Sequence, residues 1–179
     1  VRAFLTQISV LERFNADSCC ALTGRADAQA LIAHLEQANL FMVPLDDERL
    51  WYRFHQLFSD YLRSLLTESD QSALNKKAAA WHEHNDMMAE AVRYALASGD
   101  VDFAAGTIER ALKVNATWSG GNLAQLSSWL ESLPSQAFQS RPQLSLNASR
   151  LQYLSGRFDL AEMHIAHNEQ ALAAVPALP

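Results

Sequence analysis

The sequence predicts a mainly α-helical protein: a small winged-helix unit with a two-stranded hairpin, followed by TPR-like antiparallel helix pairs that begin an α-superhelix. Three observations predict it. Between Phe41 and Arg63 the apolar pattern changes from strand-like to helical. Ahead of that change lie three short helical patterns, and behind it a turn residue followed by a small residue recurs at fixed spacing. A hairpin flanked by helices is a winged-helix arrangement, and repeated helix pairs make a solenoid.

The first helical pattern, about residues 2–12, carries Phe4, Leu5, Ile8 and Leu11 on one face. The second spans about 16–22, with Asn15 or Asp17 as its cap and Gly24 at its end. The third spans about 27–38, where Asp27 can cap and Ala30, Leu31, Leu35 and Ala38 form the apolar face. The hairpin follows at about 40–54. Apolar residues alternate through Leu40, Met42 and Pro44, an acidic turn lies at Asp46, Asp47 and Glu48, and Leu50 to Phe54 is rich in aromatics that favour a strand. From His55 the period lengthens, and Leu57, Phe58, Tyr61, Leu62, Leu65 and Leu66 fall on one helix face. These elements make a winged-helix domain of residues 1–68. The polar segment Thr67 to Gln71, without apolar period, is the expected hinge to the helices beyond it.

Residues 69–179 read as a TPR-like arm. A turn residue, an apolar position and, five places after the turn, a small or apolar residue recur as Asp86/Met87/Ala91, Gly121/Asn122-Leu123/Leu126 and Gly156/Phe158/Ala161, with turn residues 35 apart both times. Tetratricopeptide helix pairs repeat at ~34 residues and place a small residue where the two helices approach most closely. The second copy departs from this by carrying Leu126. Helix pairs are expected at about 70–84 with 87–98, 100–115 with 122–133, and 142–155 with 158–173. Breaks fall at Ser98-Gly99-Asp100, Ser119-Gly120-Gly121, Pro134-Ser135 and Arg141-Pro142, and Asp100 can cap the helix after it.

Composition narrows the function. With 179 residues, 49% of them hydrophobic, the chain can build a real core, and no run approaches the ~20 apolar residues of a membrane span. No secretory signal pattern opens the sequence, so the cytoplasm is the expected location. The net charge is −6, spread as six basic and nine acidic residues to Glu68 and eight and eleven beyond it. Neither half is built to hold a phosphate backbone, and Arg49, Arg53 and Arg63 alone make the wing a poor DNA reader. Cys19 and Cys20 are neighbours, which disfavours a disulfide between them, and they lack zinc spacing; both are expected to be small buried residues. Val1 begins inside a helical pattern and AALAAVPALP closes without a polar capping helix, so a piece of a longer protein is expected.

The blocks TGRADAQALIAHLEQANLFMVPLDDERLWYRFHQLFSDYLR, AAAWHEHNDMMAEAVRYALASGDVDFAAGTIERAL and RPQLSLNASRLQYLSGRFDLAE, in this order, resemble the middle of the MalT-like, LuxR-type ATP-dependent transcriptional regulators of the STAND class. The resemblance implies a winged-helix domain, an arm and the first turns of a sensor superhelix. It also implies partners within the same chain, a nucleotide-binding module and the sensor superhelix, with an inducer ligand or protein acting on the whole. No GxxxxGK[ST] motif and no basic helix-turn-helix occur in the sequence. The expectation is therefore no catalysis, no cofactor, no direct nucleic-acid contact and no membrane contact in this piece, with ATP or ADP held elsewhere in the parent protein. The other reading is a free-standing helical-repeat module that binds a peptide or protein on its concave face.

In such regulators a histidine at the start of a winged-helix helix commonly approaches the ADP phosphates, and His55 in YRFHQLF matches that position. A helix N-terminus carries unpaired N–H groups and partial positive charge, which suits a phosphate neighbour. Alternatively, His55 merely caps the helix or hydrogen-bonds to the wing. Arg53 and Arg63 read as solvated side chains. His82 and His84 stand two apart on a helix, which is wrong for zinc, and His164 with His167 and Glu162 is a poor ligand set. Trp81, Met87, Met88, Tyr94, Phe103, Trp129 and Tyr153 read as core, whereas Trp118 beside Ser-Gly-Gly either packs back on its helix pair or makes an outward contact.

Overall fold

The computed structural model describes residues 1–38, 41–114 and 123–173. It contains α1 (Arg2–Ile8), α2 (Ala16–Thr23), α3 (Ala28–Gln37), β1 (Met42–Pro44), β2 (Tyr52–Phe54), α4 (Gln56–Ser64), α5 (Glu68–His84) and α6 (Met88–Ala97). These are followed by α7 (Val101–Val114), α8 (Leu123–Glu131), α9 (Gln136–Gln139), α10 (Pro142–Leu154) and α11 (Phe158–Ala173). Mainly helical structure with one antiparallel hairpin matches the fold class expected from the sequence. Two compact units divide the chain, Val1–Ser98 and Gly99–Pro179.

In the first unit, α1 stops at Ile8, four residues short of the expected end, yet the apolar face continues: Phe4, Leu5, Ile8, Leu11 and Phe14 are all buried. The helix ends because the chain must turn to reach the wing. Phe14 makes an antiparallel bridge to Tyr52, donating its N–H to the Tyr52 carbonyl at 2.8 Å and accepting the Tyr52 N–H at 2.9 Å. Asn15 then caps α2 through a reciprocal bond with Ser18, and Gly24 ends it at φ +70°. Asp27 does not cap α3. Its carboxylate pairs with Arg25 at 2.6 Å and 2.8 Å, so α3 begins without a side-chain cap. The buried face of α3 is Ala28, Ile32 and Leu35, rotated from the expected Ala30, Leu31, Leu35 and Ala38.

The hairpin pairs Met42 with Phe54, Val43 with Arg53 and Pro44 with Tyr52. Its acidic turn has a structural job: the Asp46 carboxylate accepts the N–H groups of Leu50 at 2.8 Å and Trp51 at 3.0 Å. Tyr52 and Phe54 point inward while β1 stays largely exposed. An aromatic core forms where Phe54 meets Phe14 at 4.8 Å and Phe58 at 5.4 Å between ring centres. Leu40, the first residue expected in the hairpin, lies outside the described residues.

Thr67 to Gln71 is not an unstructured linker. Thr67 caps α5 in a reciprocal box with Asp70, and Gln71 donates to the carbonyls of Arg63 at 3.2 Å and Leu66 at 3.4 Å. The expected domain boundary at 68–69 coincides with this cap, whereas backbone packing groups α5 and α6 with the helices before them.

Two helix pairs share one turn. The Met87 N–H reaches the His82 carbonyl at 2.9 Å between α5 and α6, and the Arg157 N–H reaches the Gln152 carbonyl at 2.8 Å between α10 and α11. Asp86 at φ +59° and Gly156 at φ +74° supply the left-handed residue, and Ala91 and Ala161 are buried where the helices close. The expected middle pair is different. Helix α7, capped by Asp100 at 3.0 Å, touches α8 only sparsely, while α10 packs on both. In this copy the fully buried Leu126 stands where the other two carry Ala91 and Ala161, and a larger side chain at that place opposes a close approach of two helices. The short helix α9 fills the expected break after Pro134. Gly121 and Asn122, the turn of this copy, lie outside the described residues.

Candidate functional site

The site is built on the N-terminal end and outer face of α4. His55 is the N-cap residue, with extended backbone at φ −60° and ψ 137°. Its N–H donates to the Phe41 carbonyl at 2.8 Å, anchoring the end of the wing, and its carbonyl accepts the N–H groups of Phe58 and Ser59, each at 3.0 Å. The imidazole makes no capping bond and is exposed. The backbone of His55 thus holds the wing and starts the helix, while its ring remains outside both roles. No acidic side chain sits in the first turn of α4, so the partial positive charge of that helix end is not neutralised locally.

The apolar stripe of α4 is where sequence periodicity misleads. Leu62 and Ser59 face the core, but Leu57, Tyr61 and Leu65, spaced four residues apart, face outward. Leu57 is 75% exposed and Tyr61 is 59% exposed, values that a core-facing stripe would not show. Phe41, 62% exposed at φ +47°, extends this surface and packs its ring against Phe58 at 5.2 Å. His55, Phe41, Leu57, Phe58 and Tyr61 together line a shallow depression of about 370 Å³. An imidazole beside a positive helix end, ringed by apolar side chains, can meet an anionic group while the ring around it excludes water. Sequence reasoning misses Phe41, Leu57 and Tyr61 as site residues; the signal is the i, i+4, i+8 spacing of 57, 61 and 65, which periodicity merges into a single face.

The remaining candidates have other surroundings. Arg53 is exposed on β2. Arg63 is not simply solvated: its Nε donates to the Ser9 carbonyl at 2.7 Å and it lies 3.7 Å from Asp60. Arg49 pairs with Glu36 at 2.9 Å. His82 is fully buried, with Nδ1 2.8 Å from the Ala78 carbonyl and its ring 4.8 Å from both Trp81 and Tyr94, and burial pushes its pKa down. His84 stands exposed on the same helix, so the two histidines do not converge. His164 is buried against the Phe138 ring at 4.7 Å. The side chain of His167 and all of Trp118 lie outside the described residues. Among the described residues no group of three or more His, Cys, Asp or Glu converges on a metal position. Cys19 is buried, and burial pushes its thiol up to about 12, but Cys20 is exposed, because neighbours on a helix cannot share one face. Of the expected core aromatics, Tyr94 is buried whereas Tyr153 is exposed.

No helix among the described residues is long and apolar enough to cross a membrane. Residues 1–74 match the family model of the MalT winged helix domain. The HTH-type transcriptional regulator MalT of Vibrio campbellii is 30% identical over 174 residues, 94% of this chain and 19% of that protein. MalT of Serratia proteamaculans is 30% identical over 177 residues, 96% of this chain and again 19% of the relative. The serine/threonine-protein kinase PknK of Mycobacterium tuberculosis is 34% identical over 113 residues, 62% of this chain and 10% of the kinase. The chain thus spans about a fifth of the length of the MalT proteins it matches. With a hairpin-bearing helical unit matched to the MalT winged helix and similarity running on through the helix pairs, the chain belongs to the MalT-like transcriptional regulator family.

Proposed function

We propose that this chain is a regulatory segment of a cytoplasmic, LuxR-type transcriptional regulator, in which the winged helix docks against a nucleotide-binding module and the helix pairs lead to a sensor superhelix. In this reading the segment neither hydrolyses ATP nor reads a promoter. The parent protein binds ATP or ADP through a separate module and hydrolyses ATP slowly there, and an inducer acts on the superhelix. The observation that carries the reading is the outward face of α4, where the free-standing His55 imidazole is surrounded by exposed Phe41, Leu57 and Tyr61. A monomeric surface seldom leaves so many large apolar side chains together unless another surface covers them.

The test uses the full-length regulator. His55→Ala should weaken ADP retention about tenfold or more, since a hydrogen bond to a charged group contributes about 1.5–3 kcal/mol, and should raise basal transcription. Leu57→Asp should raise basal transcription by loosening the docked face. Unchanged ADP affinity in His55→Ala would sink the nucleotide contact; unchanged basal activity in Leu57→Asp would sink the docking face.

A further inference from the structure

We infer that the cavity bordered by α4, α5, α6 and the segment between α1 and α2 binds the oxyanion group, carboxylate or phosphate, of a small hydroxylated molecule. The inference goes beyond the proposed function and involves neither the face of α4 around His55 nor a nucleotide.

The cavity measures about 250 Å³, and its lining lies within the first unit. Arg63 reaches it from the last turn of α4, Gln71 and Asn75 from α5, Arg93 and Tyr94 from α6, and Glu12 from the segment before α2. The last helix pair has a cavity of about 170 Å³ in the corresponding place, lined by Leu133, Met163 and His164 at positions 70 residues beyond Arg63, Arg93 and Tyr94. A space at this place therefore recurs, and only its lining changes. Apolar side chains serve packing at the later copy, whereas the first copy carries two guanidinium groups there.

The protein occupies only part of each group. Arg63 Nε donates to the Ser9 carbonyl at 2.7 Å, which fixes the fork, while the Asp60 carboxylate lies 3.7 Å from Nη1, beyond hydrogen-bond reach. Arg93 gives Nη1 to the Glu12 carboxylate, and neither arginine uses Nη2 in these bonds. Tyr94 Oη accepts the Glu12 N–H at 3.0 Å and keeps its own hydrogen to donate. Asn75 donates its amide to the Ala97 carbonyl at 3.1 Å, and Gln71 donates to the carbonyls of Arg63 and Leu66, so the amide oxygens remain as acceptors. Arg13 and Glu90 pair at 2.9 Å outside the lining. Arg93 and Glu12 offset each other, which leaves Arg63 as the net charge of the cavity. Guanidinium forks held in place match the two oxygens of a carboxylate or phosphate with parallel N–H bonds. The amide oxygens then accept from hydroxyl groups on the same molecule.

Titration of this chain with glycerol phosphate and with malate, at constant ionic strength, tests the site through the side-chain amide NMR signals of Gln71 and Asn75. At least one of the two acids should shift both sets of signals saturably; glycerol phosphate alone would assign a phosphate ester, and malate alone a carboxylic acid. Arg93→Met, which gives α6 the residue type of Met163, should weaken that binding about tenfold or more, since a hydrogen bond to a charged group is lost. The variant keeps the bond from Arg63 to Ser9 and loses only an exposed ion pair, so the fold persists. Arg13→Gln, outside the cavity, should bind as the parent chain does. No saturable shift with either acid, or equal affinity in Arg93→Met, would overturn the site.

Discussion

The first and last helix pairs are two copies of one design placed in different surroundings. Positions 70 apart correspond: Ala78 with Ala148, His82 with Gln152, Asp86 with Gly156, Ala91 with Ala161, and Tyr94 with His164. The turn bonds are the same to within 0.1 Å, at 2.9 Å and 2.8 Å. The outer surfaces differ. On α6 Tyr94 is buried beneath the Glu12 segment, whereas α10 and α11 leave Leu146, Tyr153, Leu154, Phe158, Met163 and Ile165 exposed. The turn and the close approach of two helices are thus common to the two copies set 70 residues apart, while the fate of the outer face depends on what is packed beside it.

The largest expected effect breaks what the two pairs share. Ala91→Leu and Ala161→Leu should each destabilise their own unit by about 1–3 kcal/mol, because a larger side chain at the closest approach must push the helices apart. Denaturant unfolding followed in each unit checks it, and a loss confined to one copy would mean the repeat is not structurally equivalent.

The next effect separates them. His82 and Gln152 occupy the same buried position, and in each one polar atom, His82 Nε2 and Gln152 Oε1, has no hydrogen-bond partner among the described residues. Only the histidine titrates. Its folded pKa lies below the usual histidine value, first because of burial, with Arg93 and Arg13 acting in the same direction and the Ala78 carbonyl and Glu90 opposing. The unfolded chain therefore binds the proton more readily. Stability contributed by neutral His82 is present in full above the ordinary histidine pKa of about 6.5 and is lost as pH falls through the lowered folded value. The melting temperature of the first unit should drop on acidification from about pH 7.5 to about pH 5, and His82→Gln should remove most of that drop. An identical acid profile in His82→Gln would show that other groups govern it.

The smallest effect concerns the turn itself. Asp86 adopts a left-handed backbone with a side chain present, whereas Gly156 does so freely, and a Cβ added to it would meet nothing within 4 Å. Gly156→Ala should cost about 1–2 kcal/mol of backbone strain, and Asp86→Gly should change stability by no more than about 1 kcal/mol, in the favourable direction. Thermal unfolding of the two variants measures the asymmetry.

Much of the fold is legible in the sequence because its signals are local. The Asn15 and Asp100 caps, the hairpin, and the small residues Ala91 and Ala161 each act within a few residues of their place in the chain. The bridge from Phe14 to Tyr52 is not legible, since nothing at either position announces a partner 38 residues away. Nor is the fastening of α6 by Glu12 and Arg13, which reads in sequence only as an exposed charge pair. Of the candidate site, His55 is legible by its place at the start of a helix; its apolar ring is not.

What the sequence by itself determined is where helices begin, turn and repeat, because those depend on backbone preferences and on spacing along one chain. The tertiary structure decided which face of each helix is covered. On α4 it placed Leu62 inside and left Leu57, Tyr61 and Leu65 outside, although all belong to the same apolar series. Periodicity marks a stripe, but burial requires a second surface to meet it, and only the packed chain supplies or withholds that surface.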